Sequence, residues 1–310
     1  MSLILLLLGL VLLVFGGDML VRSASALAVR LGVSRLVIGL TVVAFGTSAP
    51  ELAATLASSL RGAPDIGVGN VLGSNIANVG LILGLGAVIV AIPSNASFLR
   101  RDVPVALFAM ALLYPMALDG RLGRIDGLVL LVLLGGYLTF LMKRDSNAIA
   151  KEVGDPDVSP MWRRLGGAMV GLAMLVAGAD AVVRGAVEIA TLLGVSERVI
   201  GLTLVAFGTS LPELASTLAA AARRQGDMIL GNIAGSNIFN VLAVLGVSAG
   251  ATVIPVDASA IALDLAVAIA FSVALLPVMA IRGNLGRVAG LVLLLGYVAY
   301  VALLFTPTGA

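Results

Sequence analysis

The sequence has no cysteine and no histidine, and these two absences exclude several kinds of chemistry. Without cysteine there is no disulfide, no thiolate metal site and no thiol nucleophile. Without histidine there is no Ser-His-Asp triad and no imidazole ligand for a metal ion. Only oxygen atoms and methionine sulfur remain as ligands, so we expect no site for copper or zinc.

Charged residues are also scarce, at 12% of the 310 residues, whereas hydrophobic residues make up 60%. The mean hydropathy of +1.13 is far above that of soluble proteins and is typical of a chain that crosses a membrane many times. Abundant glycine and few aromatic residues favour closely packed transmembrane helices. No basic run indicates a nucleic acid. The expected surroundings are a lipid bilayer, and no obligatory protein partner is evident.

Ten apolar stretches predict an all-α polytopic membrane protein with ten transmembrane helices. Most of these stretches are long enough to cross the roughly 30 Å of hydrocarbon in a bilayer. They lie at residues 3–21, 36–60, 66–92, 103–118, 125–142, 165–187, 198–221, 228–254, 259–281 and 288–306. The first stretch could instead be a signal peptide, but no positive charge precedes it, as such a peptide requires.

One hydrophilic segment, residues 143–164, divides the chain into residues 1–142 and 165–310, with five stretches each. Its mixed charges and prolines predict a flexible linker. Loops after odd-numbered stretches contain 14 Lys and Arg residues, against 5 after even-numbered ones. The positive-inside rule therefore places the linker in the cytoplasm and both termini outside. Because each half has an odd number of stretches, the second half is expected to run inverted to the first.

The strongest signal is an internal repeat at an offset of 162 residues. Residues 39–58 read GLTVVAFGTSAPELAATLAS, and residues 201–220 match them at 16 of 20 positions. A second motif, GN-x-x-GSNI-x-N, begins at Gly69 and again at Gly231. Shared apolar character alone would not repeat these polar patterns. Two inverted five-helix repeats are therefore expected, which is an architecture of many secondary transporters.

Each copy of the first motif combines a helix-breaking proline with polar side chains. Pro50 is expected to bend the helix and free carbonyl groups around Ala44, because it lacks an N–H and its ring clashes with the preceding turn. Thr47 and Ser48 lie four and three residues before Glu51, so hydroxyls and carboxylate share one helix face. The second copy supplies Ala206, Thr209, Ser210, Pro212 and Glu213.

The second motif predicts a polar stripe on the following helix, with residues spaced four apart. The stripe is Asn70, Ser74 and Asn78 in the first half and Asn232, Ser236 and Asn240 in the second. If an inverted two-fold axis relates the halves, Glu51 and Glu213 meet near the middle of the membrane. Hard oxygen ligands suit Ca²⁺ or Na⁺, and two carboxylates balance one Ca²⁺. We therefore predict one site that holds either ion and is reached alternately from each side.

Two pairs of aspartates have structural interpretations. The first pair is expected to bind an arginine one turn later on the same helix. These ion pairs would be Asp18 with Arg22 and Asp180 with Arg184. The second pair, Asp65 and Asp227, opens the third and eighth stretches and is expected to cap their helices.

At these motifs the sequence resembles the cation/calcium exchanger superfamily, and within it the prokaryotic sodium/calcium exchangers. The doubled GTS-x-PE and GN-x-x-GSNI-x-N motifs look like the two alpha-repeats of that family, and the resemblance covers essentially the whole chain. It implies a Ca²⁺ site of Glu51 and Glu213 with backbone oxygens of Thr47 and Thr209. It implies Na⁺ sites formed by Ser48, Ser74, Ser210 and Ser236 with the carbonyls of Ala44 and Ala206.

The resemblance also bears on the two central polar positions, Asn78 and Asn240. Asn78 matches an amide of the family's site. Asn240 departs from many members, which carry aspartate there, so the centre has two carboxylates instead of three. This difference leaves the number of sodium ions, and the choice between Na⁺ and H⁺, open.

From the residues and the resemblance we expect an antiporter, without a cofactor, that exchanges Ca²⁺ for Na⁺ across the plasma (inner) membrane of a prokaryote. The nearest alternative is a Ca²⁺/H⁺ antiporter that uses the same glutamates as proton carriers. A cation channel would need a repeated carbonyl filter, and the sequence shows none. An intramembrane enzyme would need a nucleophile and base or a pair of catalytic aspartates, which are also not evident.

The charge bias predicts a definite result for cysteine labelling. In intact cells, Ser159→Cys should be protected from an impermeant thiol reagent, because the linker is cytoplasmic. Thr308→Cys should react, because the C-terminus faces outside. The native chain has no cysteine, so the labelling has no background. The reverse pattern would contradict the predicted orientation.

Overall fold

The computed structural model describes residues 2–145, 160–193 and 206–304, and most of these residues are helical. The first half contains α1 (Ser2–Leu31), α2 (Arg35–Thr47), α3 (Ala49–Leu60), α4 (Asp65–Ile89), α5 (Phe98–Asp119) and α6 (Arg124–Asp145). The second half contains α7 (Met161–Leu192), α8 (Ala206–Thr209), α9 (Leu211–Ala222), α10 (Gly226–Ala251), α11 (Ala258–Arg282) and α12 (Arg287–Leu304).

Four strands of two residues each lie between helices and connect the two halves. They are β1 (Ile92–Pro93), β2 (Arg121–Leu122), β3 (Ile254–Pro255) and β4 (Asn284–Leu285). Strand β1 pairs antiparallel with β4, and β2 pairs antiparallel with β3. Each ribbon therefore joins the first half of the chain to the second.

Eight of the described helices are individually long and apolar enough to cross a membrane. Helices α2 and α3 together form a ninth candidate, bent by 43° next to Pro50, as the sequence predicts. The short stretch predicted at 103–118 is confirmed as α5, which has 22 residues. The stretch predicted at 198–221 corresponds to α8 and α9, and its first eight residues lie outside the described ranges.

Helix α10 lies at the centre of the bundle, and every residue from Met228 to Gly246 is buried. Helix α12, in contrast, exposes large apolar side chains along its length, such as Val288, Leu295 and Val298. Exposed apolar surface of this extent requires lipid as its solvent, and helices satisfy their own backbone hydrogen bonds there. The polar residues of the two motifs, by contrast, lie on the buried helices α4 and α10 and at the starts of α3 and α9.

Glycines bring α1 and α7 into backbone contact. A Cβ added to Gly9 would lie 2.7 Å from the carbonyl oxygen of Gly178, and one added to Gly16 would lie 2.9 Å from that of Gly171. The order of these contacts shows that α1 and α7 run antiparallel. At the 162-residue offset Gly9 corresponds to Gly171 and Gly16 to Gly178, so the contacts are symmetric.

The acidic residues outside the motifs partly follow the predictions. Asp18 pairs with Arg22 at 2.9 Å and Asp180 with Arg184 at 2.8 Å, which confirms both ion pairs. The predicted capping by the other two aspartates is wrong, because Ala63 and Gln225 occupy the N-cap positions without a side-chain hydrogen bond. Asp227 instead accepts a hydrogen bond from Asn95 at 2.8 Å, which ties α10 to the segment before α5.

The glycine contact predicts the effect of adding a single methyl group. Gly171→Ala would place a Cβ 2.6 Å from the backbone nitrogen of Leu20, so the helices must separate. We expect a loss of about 1–3 kcal/mol, seen as a lower thermal unfolding midpoint in detergent. Gly166→Ala on the same helix is the control, since that Cβ meets nothing within 4 Å. Equal midpoints for the two variants would contradict the packing role.

Candidate functional site

Glu51 and Glu213, which stand 162 residues apart, each lie at the start of a new helix in the middle of the bundle. Glu51 and Glu213 are the third residues of α3 and α9, directly after Pro50 and Pro212. Proline is tolerated in the first turn, where its missing N–H would have no intrahelical partner. A helix N-terminus also favours a carboxylate. The proline therefore ends one helix and starts another, and the glutamate, 1% exposed in each half, lies at that start.

The structure brings the two first motifs together through reciprocal hydrogen bonds. Ser48 donates from Oγ to Oε1 of Glu213 at 3.1 Å. Ser210 donates from Oγ to Oε1 of Glu51 at 3.4 Å. Each glutamate is thus bonded by the serine of the opposite half and not by the serine of its own motif.

The serines of the second motif lie in the same cluster. Ser236 donates to Oε1 of Glu213 at 3.5 Å, and the hydroxyl oxygens of Ser74 and Ser210 lie 3.3 Å apart. Both serines are 4% exposed or less. All four predicted serines therefore contact either a glutamate or a serine that does.

The threonines and the first asparagine of each stripe bond across the halves. Thr47 donates to Oδ1 of Asn232 at 3.4 Å, and Thr209 donates to Oδ1 of Asn70 at 3.2 Å. Thr47 and Thr209 thus lie at the centre of the contact.

Asn70 and Asn232 belong to the predicted stripe but bind neighbouring helices. Asn70 donates to the hydroxyl of Thr55 at 3.1 Å, and Asn232 donates to that of Thr217 at 3.2 Å. Thr55 and Thr217 also stand 162 residues apart. Both amide groups of these asparagines are therefore engaged in holding the helices together.

Two further asparagines contribute to the centre and were not singled out from the sequence. Asn75 accepts from the amide of Asn240 at 3.1 Å, and Asn237 accepts from the amide of Asn78 at 2.9 Å. Asn78 and Asn240 also begin π-helical segments, Asn78–Leu83 and Asn240–Leu245. The repetition of Asn75 and Asn237 within GSNI-x-N was the available signal, but the spacing of four excluded them from the stripe.

Unpartnered oxygens mark where a ligand would bind. Within the described ranges, five buried side-chain atoms lack a hydrogen-bond partner, and four of them are oxygens of the two motifs. They are Oε2 of Glu51 and Glu213 and Oδ1 of Asn78 and Asn240. An unpaired buried acceptor is costly, more so when it is charged. All four are acceptors, so a cation, a water molecule or a proton on a carboxylate would satisfy them.

The backbone carbonyls at the bend near Pro50 differ from the prediction at Ala44. The carbonyl of Ala44 is not freed, because it accepts from the backbone N–H of Ser48 at 3.0 Å, bridging the bend. The same oxygen also accepts from the hydroxyl of Thr47 at 3.4 Å, so a cation bound at this carbonyl would replace that longer bond. Ala206, its counterpart, begins α8 and is the first residue described after the gap.

A membrane-spanning helical bundle with an acidic, oxygen-lined centre has the features of a cation transporter. The profile of the family described as sodium/calcium exchanger protein matches residues 1–143 and 164–306. The chain belongs to this family and is a membrane antiporter. Its predicted resemblance to the prokaryotic sodium/calcium exchangers is confirmed.

Individual relatives are similar over nearly their whole length. The putative antiporter CaxA of Alkalimonas amylolytica is 39% identical over 97% of each chain. The sodium/calcium exchanger MaX1 of Methanosarcina acetivorans is 36% identical over 97% of this chain and 98% of its own. A structure of the sodium-calcium exchanger NCX_Mj soaked with Na⁺ and Ca²⁺ superposes with a TM-score of 0.86, at 38% identity and with 98% and 99% of the chains covered.

Proposed function

We propose that this protein exchanges Ca²⁺ for Na⁺ across the plasma membrane of a prokaryote. The observation that carries the proposal is the set of four unpartnered, buried acceptor oxygens contributed equally by the two halves. Two of them belong to carboxylates, so the site attracts cations strongly in a low-dielectric interior. Family membership supports the same pair of ions.

The two halves are proposed to be inverted five-helix repeats, residues 1–142 and 165–310, joined by a cytoplasmic linker at 143–164. Antiparallel contact between α1 and α7 supports this arrangement, since they are corresponding helices. The reciprocal bonds of Ser48 and Ser210 support a two-fold relation at the centre. With ten helices and the positive-inside rule, both termini lie outside.

In the proposed site, Ca²⁺ lies between Glu51 and Glu213, with the backbone oxygens of Thr47 and Thr209 as further ligands. Na⁺ is held in its place by Ser48, Ser74, Ser210 and Ser236 with the carbonyls of Ala44 and Ala206. Asn78 and Asn240 contribute neutral oxygens. Ca²⁺ favours six to eight oxygen ligands in flexible geometry, and this cluster offers enough of them.

The charge balance makes the two ions competitors. Two ionised glutamates neutralise one Ca²⁺ or two Na⁺, and a loaded site carries no net charge. A site that is neutral when loaded can cross between inward and outward access, whereas the doubly negative form is costly to occlude. Exchange instead of leakage follows, because the helices rearrange around a filled site.

Removing either carboxylate should nearly abolish Ca²⁺ exchange. Glu51→Gln and Glu213→Gln keep the shape and remove one charge, which should weaken Ca²⁺ binding by about 3–5 kcal/mol. The measurement is ⁴⁵Ca²⁺ uptake into proteoliposomes of purified, monodisperse protein. Glu188→Gln is the control, because that side chain is exposed. Near wild-type flux in either site variant would refute the shared site.

The counter-ion is tested by imposing one gradient at a time. Proteoliposomes loaded with Na⁺ at equal pH inside and outside should take up Ca²⁺, whereas a pH gradient without Na⁺ should drive little uptake. Uptake driven by the pH gradient alone would instead identify a Ca²⁺/H⁺ antiporter with the same glutamates. Uptake driven by K⁺ would assign that ion.

Because position 240 is an asparagine, we predict that the Na⁺-driven Ca²⁺ flux depends only weakly on membrane voltage. Asparagine carries no charge and takes up no proton at ordinary pH, so a third Na⁺ would leave one uncompensated charge in the site. We expect Na⁺-driven Ca²⁺ flux to change little when K⁺ and valinomycin clamp the potential, and Asn240→Asp to make the flux sensitive to voltage or pH. Strong acceleration of wild-type Ca²⁺ extrusion by an inside-negative potential would overturn the two-carboxylate charge balance.

A further inference from the structure

Asn78 and Asn240 each have one end of the side-chain amide bonded to an asparagine of the opposite half and the other end buried without a partner among the described residues. The nitrogen of Asn78 donates to Oδ1 of Asn237 at 2.9 Å, and that of Asn240 donates to Oδ1 of Asn75 at 3.1 Å. Their own oxygens have no hydrogen-bond partner among the described residues. An amide has a donor end and an acceptor end, so its orientation decides whether it attracts or repels a cation.

Asn75 and Asn237 are themselves held in one orientation. The nitrogen of Asn75 donates to the backbone carbonyl of Asn237 at 3.4 Å, and the nitrogen of Asn237 donates to that of Asn75 at 3.5 Å. Because each nitrogen is used by a backbone acceptor, each Oδ1 is left to accept from the neighbouring amide. Both residues are at most 2% exposed, so water does not compete for these bonds.

We propose that Asn75 and Asn237 are positioning residues that keep the carbonyl ends of Asn240 and Asn78 turned toward the transported cation. The inference rests on the proposed cation site and adds residues to it that do not touch the ion. If the amide of Asn240 turned over, its NH₂ group would face the site and repel Ca²⁺ and Na⁺ alike. Asn75 and Asn237 thus hold Asn240 and Asn78 in the orientation in which their amide oxygens can bind a cation.

A double-mutant cycle separates positioning from a general structural role. In the wild-type background, Asn75→Leu removes the acceptor that orients Asn240, and the KM for Ca²⁺ should rise on the order of 10- to 100-fold, as for other residues that orient ligands. In the Asn240→Asp background the same substitution should have little effect or lower the KM. A carboxylate has an oxygen at both ends, so its orientation no longer matters.

The corresponding cycle with Asn237→Leu and Asn78→Asp provides an internal replicate in the other half. The readout is the KM for Ca²⁺ in proteoliposomes, with elution as a single monodisperse peak required of every variant. An equal rise in KM in both backgrounds would overturn the positioning role and leave a structural one. Absence of Ca²⁺ exchange by the wild-type protein would refute the proposed function instead, which keeps the two failures apart.

Elsewhere in the structure, an ion pair joins α1 to the end of α9. Arg223 donates from Nε to Oδ1 of Asp18 at 2.7 Å, and its Nη2 contacts the same oxygen. Ser25 of α1 also donates to Oε1 of Gln225 at 2.9 Å. These contacts hold α1 against the second half at one end of the bundle.

The corresponding residues of the other half are of the same types but are not paired with each other. At the 162-residue offset, Asp18 corresponds to Asp180 and Arg223 to Arg61. Asp180 binds only Arg184 on its own helix, among the described residues, and its side chain is 58% exposed. Arg61 forms no ion pair in the part of the chain that the structure describes.

The asymmetry has a simple origin if the halves are inverted repeats that exchange conformations. A contact present in one half in the inward- or outward-open state then forms at the corresponding position of the other half in the opposite state. By the loop charges, Asp18 and Arg223 lie at the cytoplasmic end. We infer that Asp18–Arg223 and Asp180–Arg61 are alternating latches, the first closing the cytoplasmic side and the second the external side.

Partly exposed ion pairs are weak, so neither latch would trap the protein in one state. The side chains of Arg223 and Asp18 are 28% and 36% exposed, which fits a contact that forms and breaks in each cycle. This inference rests on alternating access but not on the identity of the counter-ion.

Pairwise cysteine cross-linking tests the latches in the naturally cysteine-free chain. With a short bifunctional thiol reagent, Asp18→Cys/Arg223→Cys should cross-link in the resting protein and stop exchange. Arg61→Cys/Asp180→Cys should cross-link only while opposing Na⁺ and Ca²⁺ gradients drive turnover, and should then stop exchange too. A reductant that cleaves the linker should restore flux in both. Arg22→Cys/Ala26→Cys, one turn apart on α1 and outside both latches, is the control that should cross-link without stopping exchange.

Two results would overturn the latch. One is continued exchange at the control rate after Asp18→Cys/Arg223→Cys is fully cross-linked. The other is failure of Arg61→Cys/Asp180→Cys to cross-link during measured exchange. Both require a working exchanger, so neither can be confused with a failure of the proposed function, in which the variants show no flux before the reagent is added.

Discussion

The structure depends on two buried carboxylates that are each bonded to the opposite half of a membrane protein. Glu51 and Glu213 are both 1% exposed, and each has one oxygen without a partner. Two ionised carboxylates in a low-dielectric interior would repel each other and be poorly solvated, and protons or cations would relieve that cost. The helix breaks at the prolines place two helix N-termini at this centre. The serine hydroxyls and the asparagine amides add oxygen atoms to it.

The two halves of the chain, which are related by the internal repeat, together surround this site. The bonds of Ser48 and Ser210 to the opposite glutamates, and of Thr47 and Thr209 to the opposite asparagines, are related by the 162-residue offset. The bonds of Ser236 to Glu213 and of Ser210 to Ser74 have no such counterpart among the described residues. Glycines at corresponding positions let the peripheral helices α1 and α7 meet backbone to backbone. The ion pair of Asp18 with Arg223 is also asymmetric, because the corresponding residues Asp180 and Arg61 are not paired with each other in the part of the chain that the structure describes.

Much of this arrangement was readable from the sequence, because repeats and breaker residues are local signals. The apolar stretches, the bend at Pro50 and the proximity of the two glutamate motifs all follow from spacing and duplication. Other features could not be derived, because they depend on contacts across the interface. Asn75 and Asn237 fall outside the four-residue spacing of the stripe, and Ala63 occupies the cap expected for Asp65. Local sequence cannot reveal which opposite-half group an amide will bind.

The reciprocal bonding of the two motifs has a consequence for biosynthesis. A chain made from its N-terminus inserts Glu51 into the membrane long before Ser210 has been synthesised, since about half of the protein lies between them. Until then the carboxylate lacks the hydroxyl that binds it in the finished structure. The first half of the chain would therefore stay partly hydrated around Glu51 until the second half arrives to complete the centre.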